Sequence, residues 1–269
     1  MSEFTSKFVE AGGHRLHYLD EGSGPPLVLL HGGGPAAYGG IHYTRNIAPW
    51  AAHFRVLAPD FPNFGKSSHA TFSQAQSRFN AATIDAFMGA IGIGSAAVAG
   101  YSMGGSAAIS LAAHHPQRVS KLVLLGAGGT SLPSLFVPAP ADGARTMMAF
   151  TQNPTRENFG LACGAFVFDT ACYEPGLVDR LWTEYQQTPP APTNTSRPRD
   201  NLVPALALIQ AETLIMKGRD DRLAPLAQGL AALWAIPKAS LHVFAKCGHW
   251  MQYEKADELN RLVASFLTA

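Results

Sequence analysis

The stretch Val98-Ala99-Gly100-Tyr101-Ser102-Met103-Gly104-Gly105 constrains this chain more than any other. An apolar run over 96–99 reaches Gly100, a serine follows two residues later, and a second glycine stands at Gly104. Beyond it, 106–115 is a small-residue stretch of helical character, stopped by Pro116. A strand must therefore reverse into a helix within about four residues, which forces the serine backbone into strained dihedrals. Glycines two positions before and two after it remove the Cβ atoms that would block the neighbouring elements. The Ser102 hydroxyl is lifted above the sheet edge with a helix N-terminus beneath it, the arrangement of a nucleophile elbow.

The rest of the chain supplies the sheet that such a turn needs. Strands are predicted at 7–10 and 15–19, joined as a hairpin at Gly12-Gly13, and a doubly buried strand at 26–30 empties into His31-Gly32-Gly33-Gly34-Pro35. A helix over 42–52, a strand at 54–57 and a helix over 72–91 lead to the elbow, and another buried strand follows at 121–125. After Gly128-Gly129 the rhythm breaks. Between 130 and 206 there is no convincing buried strand, while helical pieces are predicted at 144–151, 156–166 and 177–187. Prolines punctuate 189–192 and 196–199. Phe136, Phe150, Phe159, Phe166, Phe168, Tyr173, Trp182 and Tyr185 give this stretch too much aromatic surface for a disordered linker. The rhythm resumes with a strand at 213–216, a helix at 226–234, a strand at 241–244 and a closing helix at 255–267. The expected architecture is α/β, with a doubly wound, mostly parallel sheet flanked by helices. Residues 1–129 and 207–269 form its two core parts, and 130–206 a helical lid over the carboxyl ends of the strands.

Composition narrows the function classes. With 47% hydrophobic and 14% charged residues and a net charge of +1, the chain carries no basic block that points to nucleic acid or a lipid surface. No run of about 18 apolar residues suggests a membrane span. Three cysteines, Cys163, Cys172 and Cys247, are too few and too odd in number for a disulfide framework. The first seven residues lack the apolar run of a signal peptide, so the expected setting is cytoplasmic, with a small molecule as the partner.

In an open parallel sheet, ligands bind outside the carboxyl ends of the strands. His31, Ser102, the Asp220-Asp221 pair and His249 all fall there. A serine hydroxyl needs a base to become a nucleophile, and His249 suits that near neutral pH. The imidazole needs a carboxylate to fix its tautomer, and the order serine, aspartate, histidine is that of this sheet type. If the strand pleat persists, only one of Asp220 and Asp221 meets His249. A tetrahedral intermediate also needs donors for its oxyanion. The backbone N–H of Met103 is one, and Gly33, with Gly34 as the alternate, is the position for the other.

These motifs resemble the α/β-hydrolase fold family. Gly218-Arg219-Asp220-Asp221-Arg222-Leu223-Ala224-Pro225 is similar to that family's Gly-x-x-Asp-x-x-x-Pro pattern, which implies Asp221 as the acid. A closer likeness rests on His31-Gly32-Gly33-Gly34-Pro35, Tyr43-x-Arg45-Asn46, Ser102-Met103-Gly104-Gly105, Gly218 to Arg222 and Gly248-His249-Trp250-x-Gln252-x-Glu254. Together they resemble the meta-cleavage product hydrolases, which cleave a carbon–carbon bond in vinylogous 1,5-diketones made by ring-opening of catechols. The resemblance implies no metal, no organic cofactor and a homo-oligomer. Gly34, Tyr101, Arg180 and Trp182 are expected at the substrate, and so is Trp250, from its place beside His249. The chain departs from the pattern at four points. Tyr101 stands where the family has asparagine, Leu181 stands where a lid arginine precedes the tryptophan, and Pro35-Ala36 and Pro62-Asn63 replace Pro-Gly steps. Arg180, one position early, is rotated by about 100 degrees on a helix. A carboxylesterase, which needs neither polar contact, is the alternative activity, and a ligand receptor that keeps the triad is a further one.

Other polar residues have structural expectations. Cys247 reads as a small buried residue, His114-His115 as a helix end, His31 as a support for the glycine loop, and Arg45 as a loop anchor.

Overall fold

A computed structural model describes residues 4–34, 36–128, 142–187 and 201–269. The expected lid onset at Thr130, Phe136, Pro35 and the punctuation at 189–199 lie outside the described residues.

β1 (Ser6–Ala11) and β2 (His14–Glu21) form the expected hairpin. Gly12 and Gly13, at φ of +59° and +80°, supply the two left-handed residues that match a tight turn to the strand twist. β3 (Pro26–Leu30), β4 (Arg55–Pro59), β5 (Ala96–Tyr101), β6 (Val119–Leu125), β7 (Glu212–Gly218) and β8 (Ala239–Phe244) complete one eight-stranded sheet in the order β1-β2-β4-β3-β5-β6-β7-β8. β2 pairs antiparallel with β1 and β4, and every other pairing is parallel. The apolar runs alternate between two core layers, as the two-residue period of a strand requires. Val28, Leu30, Val98, Leu122 and Leu124 face one layer, and Leu27, Leu29, Ala99, Val123 and Leu125 the other.

The helices are α1 (Gly39–His42), α2 (Ile47–Ala51), α3 (Gln76–Ala90), α4 (Met103–His114), α5 (Asp142–Gln152), α6 (Arg156–Gly164), α7 (Leu177–Gln187), α8 (Val203–Leu206), α9 (Leu226–Ala235), α10 (Met251–Glu254) and α11 (Ala256–Thr268). The single helix expected over 42–52 is two short ones. Pro49 lacks an N–H for the Arg45 carbonyl and would clash with it in a continuous helix; that carbonyl accepts instead from Asn260 Nδ2 at 2.9 Å. Residues 72–75 are likewise not helical, and Phe72 stacks on Phe79 at 4.1 Å.

α5 to α7 share an apolar cluster with the sheet through Phe150, Phe159, Ala162, Leu177 and Leu181, beside Trp250 and Tyr253. α8 falls inside the stretch expected as lid, but Leu202 and Leu206 pack in the opposite layer with the α4 and α9 side chains. No helix among the described residues is long and apolar enough to cross a membrane.

Candidate active site

The elbow is tighter than its sequence required, since β5 ends at Tyr101 and α4 begins at Met103. Ser102 alone makes the turn, at φ +50° and ψ −113°, a conformation that costs a non-glycine residue about 1–3 kcal/mol. The surrounding packing holds it there. A Cβ at Gly104 would lie 2.2 Å from the Leu30 carbonyl oxygen, and one at Gly100 2.5 Å from the Gly104 carbonyl oxygen. Only hydrogen fits at either place.

His249 stands on the loop after β8, and its Nδ1 donates to Asp221 Oδ2 at 2.8 Å. Because the carboxylate only accepts, this bond leaves Nε2 as the ring's free acceptor. Asp221 Oδ1 accepts from the amides of Leu223 and Ala224 at 2.9 and 2.8 Å. Burial pushes the Asp221 carboxyl up, but the His249 contact, the Lys217 ammonium and the Ala224 amide outweigh it and hold it down at about 2. Asp220 faces the other way, toward Arg219 and the Cys247 amide. The end of β6 joins this pair to the elbow. The Ser102 amide donates to the Leu125 carbonyl at 2.9 Å, and a Cβ at Gly126 would come within 3.2 Å of the His249 ring.

The glycine loop after β3 faces the start of α4. A Cβ at Gly33 would sit 3.7 Å from Met103 Cβ, so the two backbone segments run side by side. The Met103 N–H is among the first-turn donors that a helix leaves unpaired. His31 holds the loop from beneath, as its sequence position suggested: Nε2 accepts the Phe61 amide at 3.0 Å, so Nδ1 carries the proton it donates to the Gly32 carbonyl at 2.7 Å. The Gly32 amide in turn donates to His42 Nδ1 at 3.1 Å. Burial pushes the His31 and His42 imidazoles down, well down for His42, so both stay neutral.

Above this floor lies a cavity with about 460 Å3 between its walls, open mouth included. Gly33, Gly34, Ala36, Ile41 and His42 line it from the core side, and Phe159, Ala162, Cys163, Phe166, Tyr173 and Leu181 from the lid. Trp250 closes it beside His249. Gly34 and Trp250, both expected at the substrate, line this cavity, and the other three residues with that expectation do not. Tyr101 is wholly buried beneath Gly32, between the rings of His42 and His249, each 5.0 Å away; pleat alternation turns its side chain inward. Arg180 points outward, donating to the Pro175 carbonyl and pairing with Glu174 at 3.8 Å, while Leu181 takes the inner face. Trp182 packs on Phe159 and Tyr185 within the lid. Arg45 anchors loops, donating to the Tyr253 carbonyl and lying over the Tyr253 ring. Cys247 is buried and its thiol pushed far up, mainly by that burial.

The sequence reading gave no role to three residues of the site, although Glu254 stood in the Gly248-to-Glu254 motif that carries the family resemblance. His42 lies in a stretch that reads as ordinary amphipathic helix. Lys217 is fully buried beneath Asp221, its ammonium 3.5 Å from Asp221 Oδ2 and donating to the Ala224 carbonyl. Gly229 makes room for its stem, since a Cβ there would lie 2.6 Å from Lys217 Cγ. A lysine inside the apolar run Leu214-Ile215-Met216 was the available clue. Glu254 accepts from the Gly248 amide at 2.6 Å and from the Phe168 amide at 2.8 Å, tying the lid to the histidine loop.

A family model described as the alpha/beta hydrolase fold matches residues 25–256. Over 98% of its length the chain is 38% identical to a 2-hydroxy-6-oxo-6-phenylhexa-2,4-dienoate hydrolase of Burkholderia cepacia, covering 96% of that protein. At the same coverages it is 39% identical to a 2-hydroxy-6-oxononadienedioate/2-hydroxy-6-oxononatrienedioate hydrolase of Burkholderia vietnamiensis. The solved structure of a meta-cleavage product hydrolase from Pseudomonas fluorescens IP01 superposes with a TM-score of 0.85 at 29% identity, covering 97% of each chain.

Proposed function

The chain belongs to the α/β-hydrolase fold family and within it to the meta-cleavage product hydrolases, and we propose that Ser102, Asp221 and His249 are the residues with which it hydrolyses a carbon–carbon bond. The substrate class is a 2-hydroxy-6-oxo-dienoate, a product of aromatic ring cleavage. The observation that carries the assignment of roles is the buried Asp221–His249 bond, set beside a serine strained into the elbow and a glycine loop facing its helix.

The geometry supports a sequence of steps that needs no group beyond these side chains and water. The dienol first becomes a ketone, which makes the bond between the distal carbonyl and its neighbouring carbon breakable. His249 Nε2 takes the Ser102 proton as the hydroxyl oxygen attacks that carbonyl. The N–H groups of Met103 and Gly33 receive the oxyanion, with Gly34 next in line. Collapse of the intermediate breaks the carbon–carbon bond. The leaving electron pair is delocalised into the ketone and the carbon is protonated from His249. Water, activated by the same imidazole, then releases the acyl group from Ser102 as an acid. Lys217 and the two loop amides keep Asp221 ionised, so the imidazolium formed in each half-reaction has its counter-charge in place.

The proposal includes a cytoplasmic setting, in keeping with three free thiols, a small molecule as the partner, and a homo-oligomeric assembly. The test of function is turnover of a ring-cleavage dienoate, whose visible absorbance disappears on cleavage, beside short aryl and alkyl esters. Dienoate cleavage that outruns ester cleavage and vanishes in Ser102→Ala supports the proposal. Ester cleavage with an inert dienoate makes the protein a carboxylesterase, and wild-type turnover of neither class favours a receptor.

A further inference from the structure

The antiparallel edge of the sheet holds a second serine, histidine and aspartate in hydrogen-bond sequence, and the mechanism above uses none of them. Strand register brings them together. His17 stands opposite Phe8 in the β1–β2 hairpin, and Ser6, two residues from Phe8 on the same face, is its diagonal neighbour. On the other side, β2 and β4 pair Tyr18 with Pro59. Asp60 is therefore the next residue across from His17, and its amide donates to the His17 carbonyl at 2.9 Å. Ser67 clamps the same pair, since its Oγ accepts the His17 amide at 2.9 Å and donates to the Asp60 carbonyl at 2.7 Å.

The side chains continue the connection outward. Asp60 receives three N–H groups: the Gly39 amide on Oδ1 at 2.9 Å, and the Lys66 amide and His17 Nδ1 on Oδ2 at 3.1 and 2.7 Å. A Cβ at Gly65 would overlap Oδ2, so only glycine lets the loop come this close. Because Asp60 takes the Nδ1 proton, Nε2 is left as the ring's acceptor, and the Ser6 hydroxyl donates to it at 2.7 Å. The carboxylate and imidazole are buried, Phe8 packs edge-on against the ring at 5.2 Å, and Ser6 itself is exposed. We propose that Ser6 is a second activated nucleophile, a covalent acceptor for activated acyl and phosphonyl donors, with His17 as its base and Asp60 as the group that orients the base. The Ser6 Oγ bonds to the electrophilic carbon or phosphorus, the leaving group departs with its electron pair, and the Ser6 proton passes to His17 Nε2 and then to water. An oxyanion formed at an exposed hydroxyl meets water rather than fixed donors, so the gain is that of the base alone, about 100-fold over an ordinary serine. Donors with good leaving groups are therefore the class that reacts.

The test uses the full chain carrying Ser102→Ala, so that the elbow serine takes no reagent, and an alkyl fluorophosphonate as the probe. Mass spectrometry with peptide fragmentation follows the adduct over time and separates Ser6 from Ser2 and Thr5. Ser120 and Ser240, exposed serines of β6 and β8, are the controls within the same molecule. Ser6 should be labelled about 100-fold faster than either control, and unfolding the same protein in denaturant should erase the difference. Adding His17→Asn, whose amide N–H still donates to Asp60 but which offers no base, should bring Ser6 down to the control rate while circular dichroism shows a folded chain. An advantage below tenfold in the folded Ser102→Ala protein overturns the proposal. So does an advantage that survives denaturant, or one that survives in a folded His17→Asn variant. If that variant does not fold, the comparison of folded with unfolded Ser102→Ala protein decides alone.

Discussion

Lys217→Met takes a buried ammonium from beneath the acid–base pair and leaves its apolar stem nearly intact. The ammonium and His249 Nδ1 both touch Asp221 Oδ2, at 3.5 and 2.8 Å. They are therefore no more than about 6 Å apart, where two unit charges at an effective dielectric of about 20 repel by roughly 3 kcal/mol. That repulsion opposes the imidazolium. Its removal favours the imidazolium, so the acid limb of the kcat/KM profile, where the base is lost to protonation, moves to higher pH by about one to two units. The other titratable groups facing Asp221, the Tyr101 hydroxyl and the Cys247 thiol, are pushed up chiefly by burial and stay neutral, so neither replaces the lost charge. The variant also leaves the Ala224 carbonyl and one Asp221 lone pair without their donor, and its thermal midpoint should fall. Lys217→Gln restores a donor without the charge, and should recover part of the midpoint while keeping the displaced limb. The assay is kcat/KM from pH 5 to 9 for all three proteins. A limb that stays put in both variants would refute the reasoning, because it would mean that the buried amine carries no charge in the working enzyme. Burial does push its pKa down, against the pull of Asp221, so the experiment has a real alternative outcome.

Three further outcomes are expected. Ser102→Gly abolishes turnover but relieves the φ of +50°, and should raise stability by about 1–2 kcal/mol in denaturant unfolding; an unchanged midpoint would show the elbow to be unstrained. Glu254→Gln keeps one acceptor oxygen and turns a donor toward either the Gly248 or the Phe168 amide, at a cost of about 1–2 kcal/mol; hydrogen exchange at that amide should accelerate and kcat should fall, and unchanged exchange at both amides would dismiss the tie. The Asp221 carboxyl, held down at about 2 in the folded chain, contributes stability that is complete above the ordinary aspartate value near 4 and is lost as pH falls toward 2. In wild type this adds about 2 kcal/mol of acid sensitivity, and Asp221→Asn should show a flatter unfolding profile over that window. Parallel profiles would contradict it.

The elbow was legible because its glycines answer to backbone geometry, which spacing alone encodes. The strands were legible because doubly buried runs such as Leu27 to Leu30 have no other use. Side-chain direction was less so. Arg180 and Leu181 differ by one helical step, and only the docking of α7 decides which faces the cavity. Tyr101 was expected at the substrate from its place beside the nucleophile, yet the strand pleat carries it inward under Gly32. Lys217 acts through Asp221 four residues on, His42 through Gly32 ten residues back, and Glu254 through Gly248 six residues back and Phe168 86 residues back. Their own neighbourhoods looked like strand, helix and closing loop, and no local pattern marks a residue whose partner is set by tertiary packing. The break of the 42–52 helix could have been read from Pro49, whose ring excludes the Arg45 carbonyl.

Two of the lid's polar attachments, among the described residues, end on the loops that carry Asp221 and His249. Asp142, at the start of α5, pairs with Arg222, next to the acid. Trp250, next to His249, donates its amide to the Phe166 carbonyl, and Glu254 accepts the Phe168 amide. Displacing the lid at these attachments would pull on the loops that carry Asp221 and His249, so the bond between the two residues depends on a seated roof.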